Sequence, residues 1–254
     1  MAGPSVPSRE LLYRGSPNEF VAALRHEAKA HVAVRHEYLE RFAAGDFPSM
    51  AFAVRDFAQQ YAVYSAGFTS YLQGVINSLP QRRHRDVLTE NLQEEQGLTG
   101  VDGQHTPHAV LFDRFRRATG VSAADEAQFV PTTTVSVWRD LFLQKCQSSQ
   151  LGVGLGAIGL ATELLVSDIY RYILRGIREH TTIPEEHHVF FSLHIDCDDE
   201  HAQDLIAITE ELSDTPNVRE AVRFGVFSSL NLRVAFWDVM LARAQIGEDA
   251  QHGH

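Results

Sequence analysis

The stretch His194-Ile195-Asp196-Cys197-Asp198-Asp199-Glu200-His201 carries the reading on which the rest turns. Around it lie the apolar residues Phe190, Phe191, Leu193, Leu205 and Ile206, and their spacing predicts an inward-packed helix from Pro184 to Leu212. Each helical residue turns about 100°, so positions i, i+4 and i+7 fall within about 60° of one another. His194, Asp198 and His201 therefore share one stripe, while Asp196 and Asp199 point elsewhere. Two imidazoles and a carboxylate on one helical face suit iron, manganese or zinc. The plainer alternative is a solvated acidic face, because Asp196, Asp198, Asp199 and Glu200 crowd together.

Immediately upstream, Leu151 to His180 reads as a long apolar helix with Glu163 among small and apolar neighbours. A charged carboxylate there is costly unless it is paired or bound to a cation. A core arginine and a metal are equally good partners on this pattern alone. The same stretch contains Gly154-Leu-Gly156-Ala-Ile-Gly159, but no strand precedes it. A dinucleotide loop is therefore excluded in favour of close helix packing. The first half offers a matching cluster: Glu90-Asn-Leu-Gln-Glu94-Glu95-Gln-Gly97, then His105 and His108. Glu95 closes one predicted helix and His108 opens the next, so the two can converge. Di-iron carboxylate sites draw ligands from facing helices in this way.

Helical periodicity extends over nearly the whole chain. Further helices are predicted over Pro17 to Ala44, Phe47 to Leu79, Pro80 to Gln96, His108 to Thr119, Thr132 to Gln147 and Pro216 to Ala244. The aromatic stripe Phe52, Phe57, Tyr61, Tyr64, Phe68 and Tyr71 reads as core. Leu98 to Gln104 and Ser122 to Phe129 read as polar loops. The expectation is one all-α domain over residues 17–245, built of seven to eight helices, with a flexible N-terminal segment 1–16 and a flexible tail 246–254. With 22 basic against 33 acidic residues the net charge is −11, which argues against nucleic acid and membrane partners. Two cysteines, Cys146 and Cys197, make no disulfide framework, and a soluble cytoplasmic protein is expected.

The chain resembles the heme-oxygenase-like diiron oxidase and oxygenase family, within the superfamily of thiaminase-like and pyrroloquinoline-quinone-synthase-like proteins. The resemblance rests on Glu90-Asn-Leu-x-x-Glu94-Glu95-x-Gly97, His108-x-x-Leu111-Phe112-x-x-Phe115, Glu163, and His194-x-x-x-Asp198-x-x-His201. It implies a heme-oxygenase-like helical bundle with two irons per chain and O2 as co-substrate. Glu95, His108 and His201 would hold one iron, and Glu163, His194 and Asp198 the other. Glu94 and His105 are the reserve ligands. It further implies a small-molecule substrate and allows a homodimer. Members resembling this chain oxidise amines or guanidines to hydroxylamine or nitro groups, or cleave C–C bonds of fatty acids or amino acids. The segment around Glu95 and the loop before His108 lean toward the N-oxygenases.

Three other readings compete. A metal-free thiaminase-like or quinone-synthase-like enzyme would use Cys146 or Cys197, although Cys197 lies beside the ligand stripe and reads as packing. A heme protein would use His26, His31 or His36. A non-enzymatic helical scaffold would take up no metal tightly. The helical-face assignment predicts that Glu163→Ala abolishes the second metal, whereas Asp199→Ala leaves both. Metal counting on the two variants checks this, and equal loss in both would refute it.

Overall fold

Side-chain caps decide where the helices begin. The computed structural model describes residues 6–98 and 106–247, with 196–200 as helical backbone. Among the described residues there are eleven α-helices and no strand. A capping box opens α1 (Pro17–Lys29): Ser16 accepts from the Glu19 amide, and the Glu19 carboxylate accepts from Ser16 N at 2.7 Å. The helix expected to continue to Ala44 instead breaks at a 3-10 turn, Val32–Val34, before α2 (Glu37–Ala44). Two histidines cause the break. His31 Nδ1 accepts from Ala33 N, and His36 Nδ1 accepts from Tyr38 N, each at 3.2 Å. Rules for N-caps centre on Ser, Thr, Asp and Asn, so imidazole caps escape them.

The second long helix also divides, into α3 (Met50–Ser65) and α4 (Phe68–Ser78). The Tyr71 ring lies over Gly67, where a Cβ would come within 2.6 Å of it, and its hydroxyl donates to the Tyr64 carbonyl at 2.9 Å. Next come α5 (Arg82–Glu95), α6 (His108–Ala118) and α7 (Ala123–Gln128). The last was expected as a loop, yet Ser122 and Asp125 form a capping box at its start. That signature was present in the sequence. Thr132 caps α8 (Thr133–Cys146), and α9 spans Val153–His180. A 3-10 turn, Glu185–His187, precedes α10 (Val189–Leu212), and Thr215 caps α11 (Pro216–Ile246). The two splits and the short α7 raise the number of helices above the seven or eight expected.

Within α9, Gly156–Glu163 is π-helical, a wider turn frequently found at functional sites. Backbone contact with α11 holds it. A Cβ on Gly156 would lie 2.2 Å from the Val222 carbonyl, and one on Gly225 would lie 2.1 Å from the Val153 carbonyl. Only glycine permits that approach. Thr162 Oγ1 donates to the Ala157 carbonyl, five residues back, at 3.0 Å. The fully buried Arg233 of α11 reaches the Ala161 carbonyl at 3.4 Å and stands 5.3 Å over the Trp138 ring. Around this contact the core is aromatic: Tyr64 stacks on Trp138 at 3.9 Å and Tyr38 on Trp237 at 5.4 Å.

The N-terminal segment also docks. Ser8 donates through its amide and hydroxyl to Glu27 at 2.6 and 2.8 Å, and Arg219 donates to the Leu11 carbonyl at 2.7 Å. Two helices, α9 and α11, are long and apolar enough to cross a membrane; in α9 the qualifying window is 83% buried inside the fold.

Replacing Gly156 or Gly225 by Ala is expected to destabilise by about 1–3 kcal/mol each, lowering the melting temperature by several degrees. Thermal denaturation of the two variants measures this.

Candidate metal centre

α5 ends at Glu95, and Gly97, at φ 67°, reverses the chain. A Cβ on Gly97 would sit 2.7 Å from Pro107 N, so the segment entering α6 passes directly against it. That contact brings His108, the first residue of α6, to Glu95. His108 Nδ1 lies 2.9 Å from Glu95 Oε1, though without the alignment of a hydrogen bond. From the other side α10 presents His194. Its Nδ1 donates to the Phe190 carbonyl at 2.7 Å, which leaves Nε2 as an acceptor 4.0 Å from Glu95 Oε1. A backbone partner of this kind is what orients metal-binding histidines. The ligand atoms of Glu95, His108 and His194 all lie within 4.8 Å of one another.

Glu163, at the end of the π-helix, faces the same cavity and is only 4% exposed. Its Oε1 has no hydrogen-bond partner, and among the described residues it forms no ion pair. The core arginine considered as an alternative partner is not there. Arg233 spends its contacts on the Ala161 carbonyl, the Thr162 hydroxyl and aromatic rings, and Arg219 on carbonyls. The cavity, of about 70 Å³, is completed by Tyr61, Tyr64, Phe68, Phe112, Tyr170 and Phe190, and among the described residues no Lys or Arg lines it. The Tyr61 and Tyr170 hydroxyls are hydrogen-bonded at 2.8 Å.

Burial pushes the Glu163 carboxyl up to about 7, against the pull of His201. Burial, reinforced by His108, pushes His194 down to about 4, so its ring is neutral at pH 7. For Glu95, burial is outweighed by the His108 imidazole and by His194 and His201, and its carboxyl sits below the usual range. For His108, burial is outweighed by Glu95 and then by Glu163 and Glu94, and its imidazole sits above the usual range. Two buried carboxylates and two imidazoles thus converge with an orphaned oxygen and an open imidazole nitrogen. Such a donor set fits a borderline divalent metal, with carboxylate oxygen and imidazole as ligands.

The structure brings Glu95, His108, His194 and Glu163 to one cavity. His194 groups with Glu95 and His108, whereas the resemblance placed it with Glu163 and Asp198. His201 Nε2 bonds instead to Glu94 Oε2 at 2.7 Å, engaging one reserve candidate; its charge still acts on Glu163 and Glu95. The Asp198 and Cys197 side chains and all of His105 lie outside the described residues. His26 is exposed, while His31 and His36 are the caps described above. The residues missed from sequence are Tyr61, Tyr64, Phe68 and Tyr170. Tyr61, Tyr64 and Phe68 read as core because periodicity reports burial, not a cavity, and Tyr170 carried no reading of its own. The available signal was the hydroxylated rings beside Gly67.

This fold and site define the class. The model of the iron-containing redox enzyme family matches residues 55–234, and the chain belongs to that family. A curated relative, 4-aminobenzoate synthase of Chlamydia pneumoniae, is 23% identical over 171 residues, covering 67% of this chain and 72% of that protein. Among solved structures, a TenA homologue from Pseudomonas syringae superposes with a TM-score of 0.73 at 16% identity, covering 95% of this chain and 98% of the other. A CADD-like protein of unknown function from Nostoc punctiforme gives 0.70 at 17%, covering 89% and 98%. A domain with a heme-oxygenase-like fold from Shewanella denitrificans gives 0.64 at 13%, covering 89% and 90%. The expected heme-oxygenase-like fold is therefore the observed one.

Metal uptake is expected to weaken as pH falls through about 7, where Glu163 takes up a proton that the metal must displace. His108, raised, adds a second proton; His194, lowered, adds none. Affinity then falls roughly tenfold per displaced proton per pH unit. Calorimetry in buffers of different ionisation enthalpy counts those protons, and a pH-independent affinity would contradict the assignment.

Proposed function

We propose that the chain is a non-heme diiron, O2-dependent oxygenase that oxidises an amine or guanidine-like nitrogen of a small metabolite. One observation carries the reading: an unpaired, buried Glu163 carboxylate opposite the Glu95, His108 and His194 group. In this reading Glu95, His108 and His194 hold one iron. Glu163, with His201 and Asp198, holds the second. Two ferrous ions would supply electrons to O2 and the place where oxygen is delivered.

The chain's own residues do the rest. The Phe190 carbonyl locks the His194 ring in the tautomer that frees Nε2. The Glu163 carboxyl, pushed by burial up to about 7, is part-protonated at neutral pH in the metal-free protein and gives up that proton when a cation binds. The aromatic wall excludes water, and the Tyr61–Tyr170 hydroxyl pair offers a polar edge against which a substrate is oriented. Ring faces and carboxylates without a lining Lys or Arg favour a nitrogen base, neutral or cationic, over a free carboxylate. That lining is what favours N-oxygenation over decarboxylation of a fatty acid. A thiaminase-like reaction at Cys146 is disfavoured, since burial pushes that thiol well above its usual range and it lines no part of the cavity.

Similarity to 4-aminobenzoate synthase supports a second reading, in which the site makes an aromatic amine instead of oxidising one. Anaerobic Fe(II) loading followed by O2 separates the two. N-oxygenation predicts two irons per chain, substrate-triggered O2 consumption, and product gaining one oxygen atom from 18O2 by mass spectrometry. Release of an arylamine without added amine would favour the second reading. Fewer than one iron per chain would end both.

A further inference from the structure

Against a net charge of −11, one surface cleft stands out. It measures about 390 Å³ and is lined by Lys29, Arg35, Arg171 and Arg175, with Tyr172 at its wall and Asp168 as its one acid. Chain-wide, acids outnumber bases; here the ratio inverts. Arg175 pairs with Glu179, but Lys29, Arg35 and Arg171 make no ion pair among the described residues. All four cations are exposed.

The cleft lies on the back of α9. Asp168, Arg171, Tyr172 and Arg175 line it, while Glu163, Val166 and Tyr170 of the same helix line the metal cavity. Tyr170, covalently adjacent to Arg171, has its ring 5.6 Å from that of His194. The basic surface and the ring packed against His194 thus share one turn of α9.

We infer that this cleft docks the electron donor, a small acidic one-electron carrier protein, for which α9 and the Tyr170 ring are the bridge to His194. The inference rests on the oxygenase reading. Insertion of one oxygen atom into an N–H bond consumes O2, two electrons and two protons, and releases one water. The two electrons come from two reduced carriers, each oxidised once. A positively charged cleft on a negatively charged protein steers an acidic partner to this face and away from the rest of the surface. Tyr172 supplies the amphipathic aromatic contact common at protein interfaces.

The test uses a reduced plant-type [2Fe–2S] ferredoxin as probe and the full chain carrying Arg35→Glu and Arg171→Glu. Titration of the metal-free chain with oxidised ferredoxin should show at least tenfold weaker binding in the double variant. Arg82→Glu, an equally exposed reversal elsewhere, should leave binding unchanged. In iron-loaded protein, ferredoxin should reduce the iron at least tenfold more slowly in the double variant. Wild-type rates should fall steeply with ionic strength. An uncharged photoreduced deazaflavin should reduce wild type and variant alike. Ferredoxin binding and rates indifferent to the reversals, with normal deazaflavin reduction, would overturn the docking site alone. Saturable binding of inorganic phosphate in the cleft with no effect on ferredoxin would overturn it in favour of a small anion. Absence of bound, reducible iron would overturn the oxygenase reading itself.

Discussion

The structure depends on keeping one carboxylate, Glu163, buried with no ion-pair partner among the described residues. Burying a charge in this way costs several kcal/mol unless a cation or proton compensates it. The protein meets that constraint in its backbone. α9 is widened to a π-helix that ends at Glu163, and α11 clasps it through the paired contacts of Gly156 and Gly225. Arg233 braces the same turn from α11 without neutralising the acid. A salt bridge would have relaxed the site. Leaving it out keeps the Glu163 oxygen available to a metal.

The opposite wall is assembled by turns. The left-handed Gly97 against Pro107 brings the end of α5 to the start of α6, so Glu95 and His108 meet. The break at Gly67 does the same for space: it lets Ser65, Ala66, Phe68 and Thr69 line the cavity. Helix ends, not helix middles, thus provide half of this centre. That makes the site sensitive to loop geometry, while the α9–α11 contact makes the other half rigid.

The fold is shared, at 16% and 17% identity, with a TenA homologue and with a CADD-like protein of unknown function. Fold alone does not assign function. What favours a metal site over a metal-free reaction at Cys146 is local: that buried thiol does not line the cavity, and a carboxylate–imidazole group does. The iron-containing redox family and the donor set agree.

The all-α class, most helix centres and the second-half residues were legible in sequence because helical periodicity and the cost of a buried charge are local properties. Glu163 stood out among apolar neighbours, and His194 and His201 by their spacing. Helix breaks were not legible where unusual caps, His31 and His36, or a ring folded back over one turn, Tyr71 over Gly67, imposed them. The grouping of His194 with Glu95 and His108, the pairing of His201 with Glu94, and the cavity walled by Tyr61 and Tyr170 belong to tertiary structure alone. Sequence spacing places side chains on the face of one helix; which faces meet is decided by packing across helices far apart in the chain.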